Sequence, residues 1–191
     1  MSFSKIIPIP DNVSLFWRKG QYIFQGPLGL LNFCPEDHAK GWSGFRIRLL
    51  NRKNKTNNDK DWAICIENPG ELPKINAFGH TLSSLIQQKL TGVCQGYFLT
   101  LEIKGIGYRV NLDGQKILFK LGYSHEITID CPSNLRVFSP KANLLSIYSI
   151  DFNELTQFCE KIKRFKKPEP YKGKGIRFHG QEIPLRIGKK K

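Results

Sequence analysis

The chain has 191 residues, 40% of them hydrophobic, enough for one domain or for two small ones with cores of their own. Thirty Lys and Arg against sixteen Asp and Glu leave a net charge of +14, which points to an anionic partner, either nucleic acid or a membrane surface. No apolar run approaches the roughly twenty residues of a membrane span, and five cysteines without a Cys-x-x-Cys pair suggest neither a zinc site nor a disulfide framework, only buried reduced thiols.

The first ten residues hold neither a signal-peptide hydrophobic stretch nor an Arg-rich import presequence, so an organellar chain of this kind is expected to be made inside the organelle. Val13 to Trp17 reads as a short strand, Lys19-Gly20 as a turn and Gln21 to Gln25 as the return of a hairpin. Further strands are predicted at Phe45 to Leu50 and Trp62 to Glu67. Between them Asn54 to Lys60 is polar throughout and reads as a solvated loop insertion. A helix follows from about Asn76 to Thr91, with Leu82, Leu85, Ile86 and Leu90 on one stripe. Gly92 and Gly96 end it and mark the boundary between two halves.

The second half repeats the pattern. Tyr108 to Leu112, the turn Asp113-Gly114 and Gln115 to Leu121 form another hairpin, and Leu112 to Leu118 resembles Arg18 to Phe24, as a duplication would leave it. Strands are predicted at Glu126 to Asp130, Leu135 to Ser139 and Leu144 to Ile150. A second helix begins near Asp151, with Glu154 placed for a capping box and Leu155, Phe158, Cys159 and Ile162 on the stripe that faces a sheet. The expected fold class is α+β: two similar small domains, each an antiparallel-rich sheet packed against one helix, over residues 1–92 and 93–165, plus an extended basic C-terminal tail over residues 166–191.

Charge concentrates in that tail. Residues 161–191 hold twelve Lys or Arg and two Glu, which is +10 of the +14, whereas residues 1–160 hold eighteen positive and fourteen negative side chains. Pro168 and Pro170 stop the helix and keep the chain extended, which limits the entropy lost on docking. Lys172 and Lys174 alternate with Gly173 and Gly175, where backbone can approach a phosphate closely. Arg177 could fork onto a phosphate or a base edge, and Tyr171 and Phe178 could stack on unpaired bases. A disordered solubilising tail would not need this spacing. The last three lysines, Lys189 to Lys191, are expected to stay loose.

The run from Lys167 to Arg177 resembles the signature near the end of bacterial-type members of the universal large-subunit ribosomal protein six family. Gly79 to Ile86 is similar to the family's first helix, and Gly92 to Tyr97 to the segment after it. Lys104-Gly105-Ile106-Gly107-Tyr108-Arg109 resembles its Gly-x-Gly-Tyr-Arg start of a strand, and Leu121-Gly122-Tyr123-Ser124-His125 its Leu-Gly-Phe/Tyr-Ser-His segment. Pro8 to Phe24 fits its first hairpin. The departures are the Asn54 to Lys60 insertion and a weakly matching stretch from Gly26 to Trp62.

The resemblance implies a two-domain structural protein that binds large-subunit ribosomal RNA mainly through the second domain and tail. It implies a place near the translation-factor-binding region, with neighbouring ribosomal proteins and translation factors close by. Carried over by position, the RNA contacts fall on Lys166, Lys167, Tyr171, Lys172, Gly173, Lys174, Gly175 and Arg177. Gly105, Gly107, Tyr108 and Arg109 form a second cluster. The helix-end cations Lys163 and Arg164, together with Phe178, complete the candidate set.

No catalytic residue, cofactor or metal is expected. Gly105-x-Gly107 lacks the third glycine of a dinucleotide fingerprint, and His38, His80, His125 and His179 are scattered without ligand spacing. An RNA-processing enzyme that uses the tail for capture, and a peripheral membrane protein, are the competing readings; neither explains the tail's spacing. No homo-oligomer is expected. Frequent Phe, Ile, Lys and Asn with a single Met suggest an AT-rich organellar genome and favour a mitochondrial ribosome, with the bacterial cytoplasm or a plastid as alternatives.

Overall fold

The computed structural model of the chain describes residues 3–34, 45–53, 60–68 and 73–186. The loop insertion expected at Asn54 to Lys60 lies outside them except for Lys60, and so does the loose end expected at Lys189 to Lys191.

The chain divides into two compact units, Met1–Gly96 and Tyr97–Lys191. The first contains β1 (Phe3–Pro8), β2 (Ser14–Arg18), β3 (Gln21–Gly26), β4 (Gly29–Phe33), β5 (Arg46–Lys53), β6 (Lys60–Asn68) and α1 (Pro73–Cys94). Its strands pair antiparallel in two sheets, ordered β1-β6-β5 and β2-β3-β4. Alternation sets the faces: in β1, Phe3 and Ile7 are buried while Ser4 and Ile6 look outward. Helix α1 buries Leu82, Ile86, Leu90 and Val93, and Leu85 is half-buried at the margin of the stripe. Gly79 sits mid-helix because the Phe3 ring lies against it; a Cβ there would come within 2.6 Å of the ring.

The second unit contains β7 (Tyr97–Lys104), β8 (Arg109–Asp113), β9 (Lys116–Lys120), β10 (Ile127–Asp130), β11 (Arg136–Lys141), β12 (Leu144–Ser149), α2 (Phe152–Phe165) and β13 (Gly175–Phe178). Its sheets run β10-β9-β8 and β11-β12-β7-β13. Strand for strand this is the first unit again, with β5-β6-β1 matched by β11-β12-β7. The two similar sheet-and-helix domains read from the sequence are present, and β13 is an addition to the second. Leu101, Ile103, Leu145, Ile147 and Ile176 from the larger sheet, Val110, Ile117 and Phe119 from the smaller, and Leu155, Cys159 and Ile162 from α2 share one core. Each such side chain contributes about 1.5–3 kcal/mol by leaving water.

Asp151 caps α2 as expected, its Oδ1 accepting from the Asn153 N–H at 3.0 Å. The reciprocal half of the capping box is absent. The Asp151 N–H donates to Ser149 Oγ at 3.1 Å, so Glu154 turns instead to the Asn134 side-chain amide, 3.4 Å away in the β10–β11 turn. All five cysteines are free; Cys65 and Cys159 are buried, while Cys34, Cys94 and Cys131 are only partly covered. Burial in the core pushes the Cys159 thiol up to about 12, with Glu160 adding to the shift and Lys163 opposing it.

Candidate nucleic-acid interface

Helix α2 ends on Lys163 and Arg164, cations that suit the negative end of its dipole. Lys163 is held on two sides: its Nζ lies 2.7 Å from Glu160 Oε1 and 4.1 Å above the centre of the Phe178 ring. Arg164 and Lys167 are exposed, and with Lys163, Glu160, Pro168 and Gln181 they line a cleft of ≈ 350 Å³. This cleft carries three cations and one acid, the balance an oxyanion needs.

Beyond Lys166 the chain doubles back instead of running on. The Glu169 N–H donates to the Lys174 carbonyl at 2.8 Å and the Gly173 N–H to the Glu169 carbonyl at 2.9 Å, closing a turn with Tyr171 and Lys172 exposed at its tip. The Ile176 N–H then donates to the Lys166 carbonyl at 2.9 Å, and β13 pairs with β7 from Gly175 opposite Lys104 to Phe178 opposite Leu101. Gly175 makes the return possible: its φ is +140°, and a Cβ there would sit 2.6 Å from Pro168 Cα and 2.7 Å from the Lys167 carbonyl oxygen. The chain after β13 turns back as well, and the Arg186 N–H reaches the Pro170 carbonyl at 2.8 Å.

The second candidate cluster closes the β7–β8 connection. The Tyr108 N–H donates to the Gly105 carbonyl at 3.3 Å, Gly107 has φ +74°, and Ile106 at the tip is 89% exposed. The Tyr108 ring covers Gly105, where any Cβ would overlap it, and its far edge lies 3.1 Å from where a Cβ on Gly122 would be. Next to Gly122, Tyr123 donates from its hydroxyl to the Phe165 carbonyl at 2.9 Å, and Lys166 Nζ stands 4.5 Å above the Tyr123 ring. Two clusters nearly sixty positions apart in sequence are thus joined through Gly105, Tyr108, Gly122, Tyr123 and Lys166.

Within this arrangement Arg164, Lys167, Tyr171, Lys172 and Arg109 are exposed, and Lys163, Lys166 and Lys174 are partly so. Gly173 and Gly175 shape the turn. Phe178 belongs to the inner face of its sheet, and Arg177 is bound to Glu102, its Nη2 2.8 Å and its Nε 2.9 Å from Glu102 Oε2. Lys104, opposite Gly175 in register, and Gly122 and Tyr123, which link the clusters, lie outside the candidate set expected from the sequence. Only the family-like run Leu121 to His125 signalled the last two. Among the described residues no group of three or more His, Cys, Asp or Glu could hold a metal ion, and no helix is long and apolar enough to cross a membrane.

A family model described as ribosomal protein L6 matches residues 104–179, a span that holds the β7–β8 connection, the Tyr123 loop, α2 and β13. Curated relatives match over nearly the whole chain. The large ribosomal subunit protein uL6 of Sphingopyxis alaskensis is 33% identical over 98% of this chain and 97% of its own. That of Novosphingobium aromaticivorans is 38% identical over 97% and 96%. The large ribosomal subunit protein uL6m of Reclinomonas americana is 34% identical over 98% and 97%.

Proposed function

Because the chain belongs to the L6 family, and so is a structural, non-enzymatic component of the large ribosomal subunit, we propose that it binds large-subunit rRNA through its second unit and basic C-terminal segment. The observation that carries this reading is the joining of the two cationic clusters through Tyr108 and Tyr123. Arg164, Lys167, Lys172, Lys174 and Arg109 supply contacts to phosphates, which position the protein without reading sequence. Gly107, exposed in the β7–β8 connection, keeps a side chain away where backbone approaches the RNA, while Gly105 admits the Tyr108 ring, Gly173 closes the turn and Tyr171 stacks on an unpaired base. Arg177 anchors β13 against β7 and serves the interface by holding the turn from Glu169 to Lys174 in place.

On this reading the protein sits near the translation-factor-binding region as a single copy beside other large-subunit proteins, in a mitochondrial ribosome. The test of binding is a filter assay with a large-subunit rRNA transcript. Replacing Lys167, Lys172 and Lys174 together with Gln should weaken binding roughly a hundred-fold at about 0.1 M salt; an unchanged affinity would sink the proposal. Sedimentation of the endogenous protein with large subunits from fractionated mitochondria tests the compartment.

A further inference from the structure

The four-stranded sheet of the second unit has a second face, opposite the one that packs on α2. Residues that alternate away from the core there are Phe98, Thr100, Glu102 and Lys104 on β7, Leu144, Ser146 and Tyr148 on β12, and Arg136 and Phe138 on β11. Phe98 is 60% exposed and Phe138 51%, an unfavourable placement for a large ring in the free protein. Register orders them: Arg136 stands opposite Tyr148, and Tyr148 opposite Phe98, so a cation and two aromatic rings form one row across three strands. Phe138, opposite Ser146, lies one row further on. Strand spacing and rise put it about 12 Å from Phe98, far enough to meet a different base.

The duplicated fold supplies an internal control. On the corresponding face of the first unit, β5-β6-β1 carries Arg46, Arg48 and Leu50, then Ala63, Cys65 and Glu67, then Ser4, Ile6 and Pro8, without an aromatic ring. The topology therefore does not require rings there. Charge selects the partner: the four strands of the second sheet contain one acid, Glu102, which is bound to Arg177, while Arg136, Lys104 and Lys141 are exposed. A protein partner has no need of such an uncompensated cationic rim, but a polyanion with flat bases does.

We infer that this face binds unpaired nucleotides of RNA, stacking bases on Phe98, Tyr148 and Phe138 while Arg136, Lys104 and Lys141 neutralise the backbone. Two of the rings lie on the central strands β12 and β7, where RNA-recognition sheets carry their stacking side chains. The inference rests on RNA as partner but not on the tail: the tail grips phosphates, and the sheet face holds splayed bases. It gives the second unit two distinct RNA surfaces.

The experiment uses the full chain with a short single-stranded RNA containing 2-aminopurine and, separately, a hairpin duplex. Phe98→Ala and Phe138→Ala, both at exposed positions, should each weaken single-strand binding about ten-fold and remove the fluorescence quenching that stacking causes, leaving duplex affinity unchanged. Phe98→Trp should retain both, and Ile6→Ala on the first unit should change neither. If both Ala variants bind and quench like the parent, the inference is overturned, while the tail's role stands. If the parent binds neither RNA at physiological salt, the RNA reading itself fails along with it.

Discussion

Glu102 on β7 holds Arg177 on β13 through one carboxylate oxygen, Oε2, which accepts from Nε at 2.9 Å and from Nη2 at 2.8 Å. Both side chains are largely covered, 24% and 20% exposed, so this pair is shielded from water more than a surface ion pair is. It ties the returning segment to the sheet, and Arg177 keeps three of its five N–H groups for other partners.

Removing Arg177 should therefore cost stability before it costs RNA contacts. Arg177→Met is expected to lower unfolding free energy by about 1–2 kcal/mol, read from the urea midpoint with the slope unchanged. Glu102→Gln keeps an acceptor but loses the charge, so it should be less destabilising than Arg177→Met and should lower affinity for the rRNA transcript no more than Arg177→Met does. A stable Arg177→Met protein that binds RNA poorly would show that Arg177 acts on RNA and not on the strand.

Two glycines in the candidate site should behave differently. Gly175→Ala combines φ +140° with a clash against Pro168 and Lys167, and should cost more than about 2 kcal/mol and disturb the turn from Glu169 to Lys174. Gly107→Ala meets nothing within 4 Å, and only its φ of +74° opposes the change, so about 1 kcal/mol is expected. Thermal unfolding of the two variants should show that order.

Truncation separates packing from charge. A chain ending at Gly180 keeps β13, whereas a chain lacking Gly173 to Lys191 also loses Ile176, which is fully buried in the core. The shorter chain should lose at least about 2 kcal/mol that the longer one retains. Denaturation of both, alongside RNA binding, shows how much lost affinity reflects a damaged sheet.

The exposed cations should act through counterion release. If about six of them meet phosphates, the logarithm of affinity should fall against that of salt with a slope of roughly −4 to −5, and each of Lys167→Gln and Lys172→Gln should reduce the slope by about 1. Their stabilities should stay within about 0.5 kcal/mol of the parent. A parallel line with no change in slope would place that lysine off the interface.

Thiol chemistry reports on the core of the second unit. With its thiol pushed up to about 12 by burial, Cys159 holds almost no thiolate at pH 8, and iodoacetamide should leave it unmodified in the folded protein. Urea should expose it to rapid labelling, followed by mass spectrometry. Labelling in native conditions as fast as in urea would mean that α2 opens readily.

Periodicity and turn chemistry made much of this protein legible from its sequence. Val13 to Gln25 and Tyr108 to Leu121 declared two hairpins, the stripes Leu82 to Leu90 and Leu155 to Ile162 declared two helices, and the likeness of the hairpins declared a duplication. These are local signals, carried by neighbours within a few positions. Less local strands are not legible there: β1 runs into Pro8 and Pro10, β4 is a five-residue run that opens on Gly29 two positions after Pro27, and β7 begins directly after the glycines that mark the boundary between the halves.

The tail marks the division most clearly. Its charge, and the glycines at positions 173 and 175, are properties of the sequence alone. That Gly175 is there to let the chain pass Pro168 and add a strand beside β7 is not, because Ile176 finds its apolar neighbours, and Arg177 its carboxylate, some seventy-five positions away. Tertiary structure also decided that Tyr108 and Tyr123 would join the two cationic clusters, and that Phe98, Tyr148 and Phe138 would face water together. Local spacing chooses helix, strand or turn, but which side chains share a surface depends on strand order and register, and only the assembled sheets fix those.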